Sequence, residues 1–543
     1  MGLLSWIRKR RGLALAVCLA LSVTMLAGCG GGSKGGGGSA GKKEALTIGM
    51  FNAPDSFNPL FNPGIAGQFT IRFMYDTLLG MPEINKFTPQ LANSIDTTDN
   101  QNFTIKLNEK AKWTDGKPVT ADDVVFTFNL IANPKVETTK GSYINMLEGT
   151  DNVGKRPDGT PIPNLVAVDE HTVTFRTKKP VDPNYLKSML GFEIYIVPKH
   201  VFEKIDPANI SNSDAVTKPT VTSGTYKFVS YKTNDHVELA ANEDYYKGSP
   251  KLKKIFIRIM NGTNLVTELK SGNVQLAASG GIGSVPVKDL DVLKKDSKLI
   301  VKTVPSLNTQ YLEVNNRNPA FNVKFRRAVT MAIDRQKICD ELYKGTAQIV
   351  PTVYTKVSPV YDESVKPLPY DPEAAKKELA ESGFDTSKEI TLQVPIGNVL
   401  REQSADLIQQ NLQAIGLNVK QQKLDFPTVL GNAKKGDYEM MLLGYGLTPD
   451  PDYSNYFVPG GSNNFCHADD PKLTEMMNNA ASLPDAEARK AAYKEIQAYM
   501  RDNQFVTSLY ETDQINVQSK NLVGGIKDFW EGSLDDLYQW HFE

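Results

Sequence analysis

Apolar and polar positions alternate with two different periods along this chain, and the periods place its elements. A period of two marks strands at Leu46–Asn52 (LTIGMFN), Phe103–Leu107 (FTIKL), Thr172–Arg176, Tyr226–Ser230, Val237–Ala241 and Ile255–Met260 (IFIRIM). Thr120 opens a helix, because Asp123 stands where it closes a capping box ahead of Val124, Val125 and Phe128. From about residue 320 the helical period takes over. Phe325, Val329, Ala332, Ile333, Ile338 and Leu342 predict one helix over 325–343, with Gly345 beyond it. Asp371-Pro372 and Gly383 bracket a second helix, and a third over 400–415 stops at Gly416. A strand follows at Asn418–Leu424, and Asp485 opens a last helix that runs to about Asn503. Helices alternating with strands predict an α/β fold whose sheets are covered by helices. The aliphatic faces of those helices are core.

The first 28 residues follow a different logic. Arg8, Lys9, Arg10 and Arg11 precede an apolar run from Leu13 to Leu26, broken only by Ser22 and Thr24. The run is too short for a stable membrane span and reads as the core of a signal peptide. It ends at Leu26-Ala27-Gly28-Cys29, the lipobox pattern, in which small residues admit a peptidase and the Cys29 thiol accepts a diacylglyceryl group. Residues 30 to 41 (GGGSKGGGGSAG) bury nothing and predict a flexible tether, which extends to residue 43. Arg10-Arg11 lacks the rest of a twin-arginine signal, so the general secretory route is expected.

Four cysteines change the picture little. Cys18 leaves with the signal and Cys29 is acylated, so only Cys339 and Cys466 remain, and whether they pair is open. Two cysteines in so long a chain build no disulfide framework, and a hydrophobic core must hold the fold. The formal charge of −1 includes the four basic signal residues, so the mature chain is acidic and nucleic acid is no expected partner. The composition, 40% hydrophobic and 9% aromatic, supports more than one domain.

The motifs that resemble catalytic ones fail on their context. Gly149-x4-Gly154-Lys155 has phosphate-loop spacing, but Arg156 replaces the magnesium-binding hydroxyl and Pro157 blocks the following helix. Gly31-Gly32-Ser33-Lys34-Gly35 fits a nucleophile elbow only in letters, inside the tether. The five histidines, at 171, 200, 236, 467 and 541, form no helical metal pair. Cys466-His467 with Asp469 and Asp470 reads as a polar loop before Pro471 rather than a metal site. Asp450-x-Asp452 lacks the glycine and the glutamate of a calcium loop. No enzyme, cofactor or metal is expected.

One set of segments carries a family resemblance. Leu91-Ala92-Asn93-Ser94, FTIKL and AKWTDGKPVTADDVVFTF (Ala111 to Phe128) are similar to the extracytoplasmic solute-binding proteins of family 5, which serve oligopeptide, dipeptide and nickel importers. SGTYKFVSY (Ser223 to Tyr231), NEDYYKGSPKLKKIFIRIM (Asn242 to Met260), PAFNVKFRRAVTMAIDR (Pro319 to Arg335) and YDPEAAKKELAESGF (Tyr370 to Phe384) continue it in family order. The chain most resembles the oligopeptide-binding lipoproteins. The resemblance implies a two-lobed periplasmic-binding-protein fold (class II, large three-domain type), with mixed sheets and a ligand cleft between the lobes. Domain I would take 44–90, 219–304 and 511–543, domain II 91–218, and domain III 305–510.

The resemblance also implies a role: capture of short peptides for the membrane permease of an ABC importer, by a monomer anchored outside the cytoplasm through lipid on Cys29. In peptide binders of this family a domain III segment supplies an Asp to the ligand's ammonium. The corresponding stretch is Gly444 to Phe457, GYGLTPDPDYSNYF, with Tyr445 where Trp is usual and Thr448 near the place of that Asp. Asp450 is then the expected anchor and Asp452 the second choice, with Gly444, Tyr445 and Thr448 beside them. The alternative is that Asp-Pro-Asp is a plain turn. Ser56 and Asn58, after the first strand, and Tyr311 and Tyr510, near the domain crossings, are further expected contacts. An oligosaccharide or a chelated metal such as nickel is the alternative ligand. Against a sugar, only Trp113, Trp530 and Trp540 outlast the signal, and against nickel, His467 alone lies near the segment. A secreted hydrolase and a sensor or chaperone-like surface protein are the readings from other classes.

Overall fold

The computed structural model describes residues 44–543 except 55, 62, 63, 462, 530 and 531. Cys29 and the tether lie outside the described residues. An eleven-stranded mixed sheet dominates. Two long strands, Leu299–Val314 and Val506–Ser519, run antiparallel at its centre. On one side follow Leu276–Ala277, Ala45–Met50, Lys254–Ile259, His236–Ala241 and Tyr226–Lys232. On the other side follow Met440–Gly446, Glu389–Pro395 and Asn418–Leu424, with Ala347–Gln348 branching onto the second long strand. A separate four-stranded antiparallel sheet joins Ala92–Thr97, Asn102–Leu107, Thr172–Arg176 and Val166–Asp169.

Distinct hydrophobic cores accompany the sheets. One gathers Trp113, Phe128, Phe103 and Phe175 with the four-stranded sheet, within residues 60–216. A second packs Leu46, Ile255, Leu239 and the C-terminal Trp540. Others lie between residues 311 and 510, around Phe325, Leu392 and Leu412 and around Tyr354, Tyr453 and Tyr493.

The capping box forms as its spacing predicts. The Asp123 carboxylate accepts the Thr120 amide at 2.9 Å, and the helix runs Ala121–Ala132. Asp371 caps Pro372–Ser382, which ends at Gly383 with φ 73°. Lys155, from the sham phosphate loop, donates to the carbonyls of Ile131, Asn133 and Val136 at the end of the 121–132 helix. Its ammonium closes a helix C-terminus, where the macrodipole favours a cation.

One expectation is corrected. The helix predicted over 325–343 is broken: Val323–Ala332 ends at Ile333, which is extended at φ −89° and ψ 120°. Asp334 then caps a new turn by accepting the Lys337 amide at 3.0 Å. A cap residue competes with helix continuation, and the apolar period does not report that competition.

Candidate functional site

A cavity of about 1010 Å³ opens where the long strand Leu299–Val314 leaves its regular pairing. Its register with Val506–Ser519 shifts between Val304 and Asn308. Pro305 has no amide to give a ladder, so it sits where the ladder lapses. Leu447, just past strand Met440–Gly446, donates its amide to the Leu307 carbonyl at 3.0 Å. Two short irregular segments, Pro305 to Asn308 and Gly446 to Pro449, thereby form one wall. Pro82 to Ile84, Tyr143, Glu193 and Ile526 to Phe529 line the rest of the cavity.

The charges at this cavity are matched within the protein. Lys302 pairs with Asp528, Lys527 with Asp536 at 2.7 Å, and Glu193 with Lys140 at 3.7 Å. The cavity therefore offers backbone edges, apolar surface from Ile65, Leu307 and Phe529, and compensated charges. Such a lining suits an elongated polar ligand held by main-chain hydrogen bonds.

The expected site residues divide. Thr448 is exposed and lines the cavity, and its hydroxyl donates to the Asp450 carbonyl at 3.1 Å. Asp450 does not face it as a free acid. Its carboxylate accepts both Arg489 guanidinium nitrogens, at 2.8 and 3.1 Å, and the Asp452 amide at 2.9 Å. Burial pushes the Asp450 carboxyl up from its ordinary value, and Arg489 opposes that shift. The sequence expectation makes Asp450 the anchor of a ligand ammonium; in the structure its counter-charge is Arg489 of the same chain. Asp452 accepts the Ser454 amide at 3.1 Å and orders its own turn.

Tyr445 turns inward, donating to Glu313 at 2.8 Å with its ring 5.2 Å from Tyr311. Gly444 lies in the ladder opposite Gln310, where a Cβ would strike the Gln310 side chain. Tyr311 is core, and its hydroxyl accepts from Thr309. Tyr510 is also core, its hydroxyl 3.1 Å from those of Tyr343 and Ser404. Ser56 and Asn58 shape a turn, with the Ser56 hydroxyl accepting the Asn58 amide at 2.9 Å and Asn58 the Leu60 amide at 3.0 Å. Of the expected residues, Thr448 alone is among those lining the cavity. The lining segments at 302–308 and 526–529 carry no motif. Only Pro305 inside an apolar run signals an irregular strand.

His467 hydrogen-bonds the Ala433 carbonyl at 2.9 Å, and Asp470 caps Pro471–Ser482. Among the described residues no cluster of three or more His, Cys, Asp or Glu side chains fits a metal. Cys339 and Cys466 are both free and buried, and burial pushes the Cys339 thiol up to about 12. Of the tryptophans weighed for a sugar, Trp113 and Trp540 are core residues, and Trp530 lies outside the described residues.

A cleft between separately cored walls, joined through two long shared strands, is the arrangement of a two-lobed solute-binding protein. The profile of the bacterial extracellular solute-binding proteins, family 5 (middle) matches residues 86–465, and the chain belongs to that family. It is 26% identical to the oligopeptide-binding protein AppA of Bacillus subtilis over 546 residues, covering 95% of this chain and 96% of the relative. The periplasmic oligopeptide-binding protein OppA of Salmonella typhimurium is 25% identical, with 91% and 92% covered. The solved structure of AppA with a nonapeptide superposes with TM-score 0.75 at 24% identity, covering 92% of this chain and 99% of that one. The substrate-binding protein CtaP of Listeria monocytogenes gives 0.80 at 27% identity, with 92% and 99% covered. These relatives are binding proteins, not enzymes. Among the described residues no helix is long and apolar enough to cross a membrane.

Proposed function

We propose that the protein captures short peptides in this cleft and hands them to the permease of an ABC importer. The cleft wall carries the proposal. The ladder lapses between Val304 and Asn308, beside Gly446 to Thr448, and this irregular wall has room for an extended main chain held without reading its side chains. The peptide-binding relatives support the same ligand class. Thr448 and the backbone of Gly446 and Leu447 are the proposed contacts. The three-domain division at 91, 219, 305 and 511 is part of the proposal, supported by the separate cores and by the strand irregularities near residues 304–311. Lobes divided so close on the ligand and present the closed shape to the permease.

Titration calorimetry of the wild type and Asp450→Asn, each with a nonapeptide and its N-acetylated form, tests this reading. Both proteins are expected to bind the free peptide. Acetylation should change the affinity of the two proteins alike, within about 0.5 kcal/mol, because the Asp450 carboxylate is already paired with Arg489. Failure of free peptides to bind, with an oligosaccharide binding instead, contradicts the proposal. Anchoring through Cys29 predicts that metabolic labelling with radioactive palmitate marks the wild type and not Cys29→Ala. A labelled mutant would disprove it.

A further inference from the structure

The Asp450–Arg489 ion pair has a third member. Arg489 lies on helix Ala486–Asn503, whose Tyr493 and Ile496 belong to the core around Tyr354. Asp182 precedes the short helix Pro183–Leu186, whose Leu186 belongs to the core of residues 60–216. An Asp182 carboxylate oxygen stands 3.7 Å from the Arg489 guanidinium, and the Tyr185 ring lies 5.4 Å from it. All three charged residues are shielded from water, at 8% exposure for Asp182, 8% for Asp450 and 6% for Arg489. They line a separate cavity of about 190 Å³ together with Asn85, Tyr185, Glu487 and Lys490. The contact thus joins two bodies with separate cores, outside the large cleft.

We propose that Asp182, Arg489 and Asp450 form a latch that holds the cleft closed. Asp450 fixes Arg489 bidentately, in the planar geometry a carboxylate gives a guanidinium. The same Arg489 Nη1 that meets Asp450 at 2.8 Å also stands 3.7 Å from Asp182 on the opposite body. Asp450 also follows directly on the cleft wall, and its carbonyl accepts the Thr448 hydroxyl. Order at the wall therefore positions the receiving half of the latch. Opening the cleft withdraws Asp182 and leaves Arg489 with one acid. The latch biases the equilibrium toward closure by its differential contact, which exists only in the closed state. The inference rests on a cleft that opens and closes, and on no particular ligand.

The test uses Asp182→Asn in the full chain, free of ligand. Asp182 caps its helix by accepting the Asn184 amide at 2.8 Å, and asparagine keeps that cap while losing the charge. Hydrogen–deuterium exchange should rise about three- to tenfold at the cleft amides Gly446 to Thr448 and Lys527 to Phe529, as expected for a lost charge pair. The amides of Asn184 to Leu186 should exchange as in the wild type. Asp182→Ser, which also caps, gives the same readout if the first variant folds poorly. Unchanged exchange at the cleft, or a rise confined to residues 182–186, overturns the latch. Because no peptide is present, either result is independent of whether the ligand is a peptide.

Discussion

Glu313 places a carboxyl among Tyr311, Tyr438, Tyr445 and Cys466, behind the cleft wall. Tyr445 donates to one oxygen, and the other is buried with no partner. Burial, only partly opposed by that hydrogen bond, pushes this carboxyl up from 4.5 to about 7. The folded protein therefore keeps a proton that the unfolded chain releases above about pH 4.5. Stability from this residue is complete below that pH and is lost as pH rises through 7. The size is about 3 kcal/mol at pH 8. Glu313→Gln mimics the protonated acid, so urea denaturation should find it matching the wild type near pH 4.5 and more stable by that amount at pH 8. An equal difference at both pH values would refute the assignment. Asp450 teaches the complementary lesson. Its place in the segment was legible from the letters, but its partner Arg489 lies 39 residues away, and only folding brings the two together.

At the scale of elements, local signals read well wherever they were self-contained. The Asp123 carboxylate accepts from the Thr120 amide at 2.9 Å, the Lys199 amide at 2.8 Å and the Trp113 indole at 3.2 Å. The first was readable from spacing, while the other two join distant segments. Asp123→Ala strands buried donors besides removing a cap, so it should cost about 2 to 4 kcal/mol in urea denaturation. A loss below about 1 kcal/mol would mean that water replaces the carboxylate. The strand Leu299–Val314 was hidden by Pro305, which argues against a central strand until the lapse of pairing around it is known. The split at Ile333 was hidden for the opposite reason: an apolar period continued through a cap.

At the scale of the molecule, the α/β class and the two-lobed architecture were legible because the family segments recur in order along the chain. The cleft was less so. Its lining comes from short stretches between residues 65 and 529, brought together by the two long strands, and no stretch carries a signature of its own. The central claim is that this cleft holds a peptide main chain. Closed binding proteins release bound ligand slowly, so mass spectrometry of the material freed by denaturing the purified full chain tests the claim most directly. The account predicts a mixture of short peptides with varied sequences, because main-chain contacts do not select side chains. A single oligosaccharide or a nickel chelate in their place would contradict it.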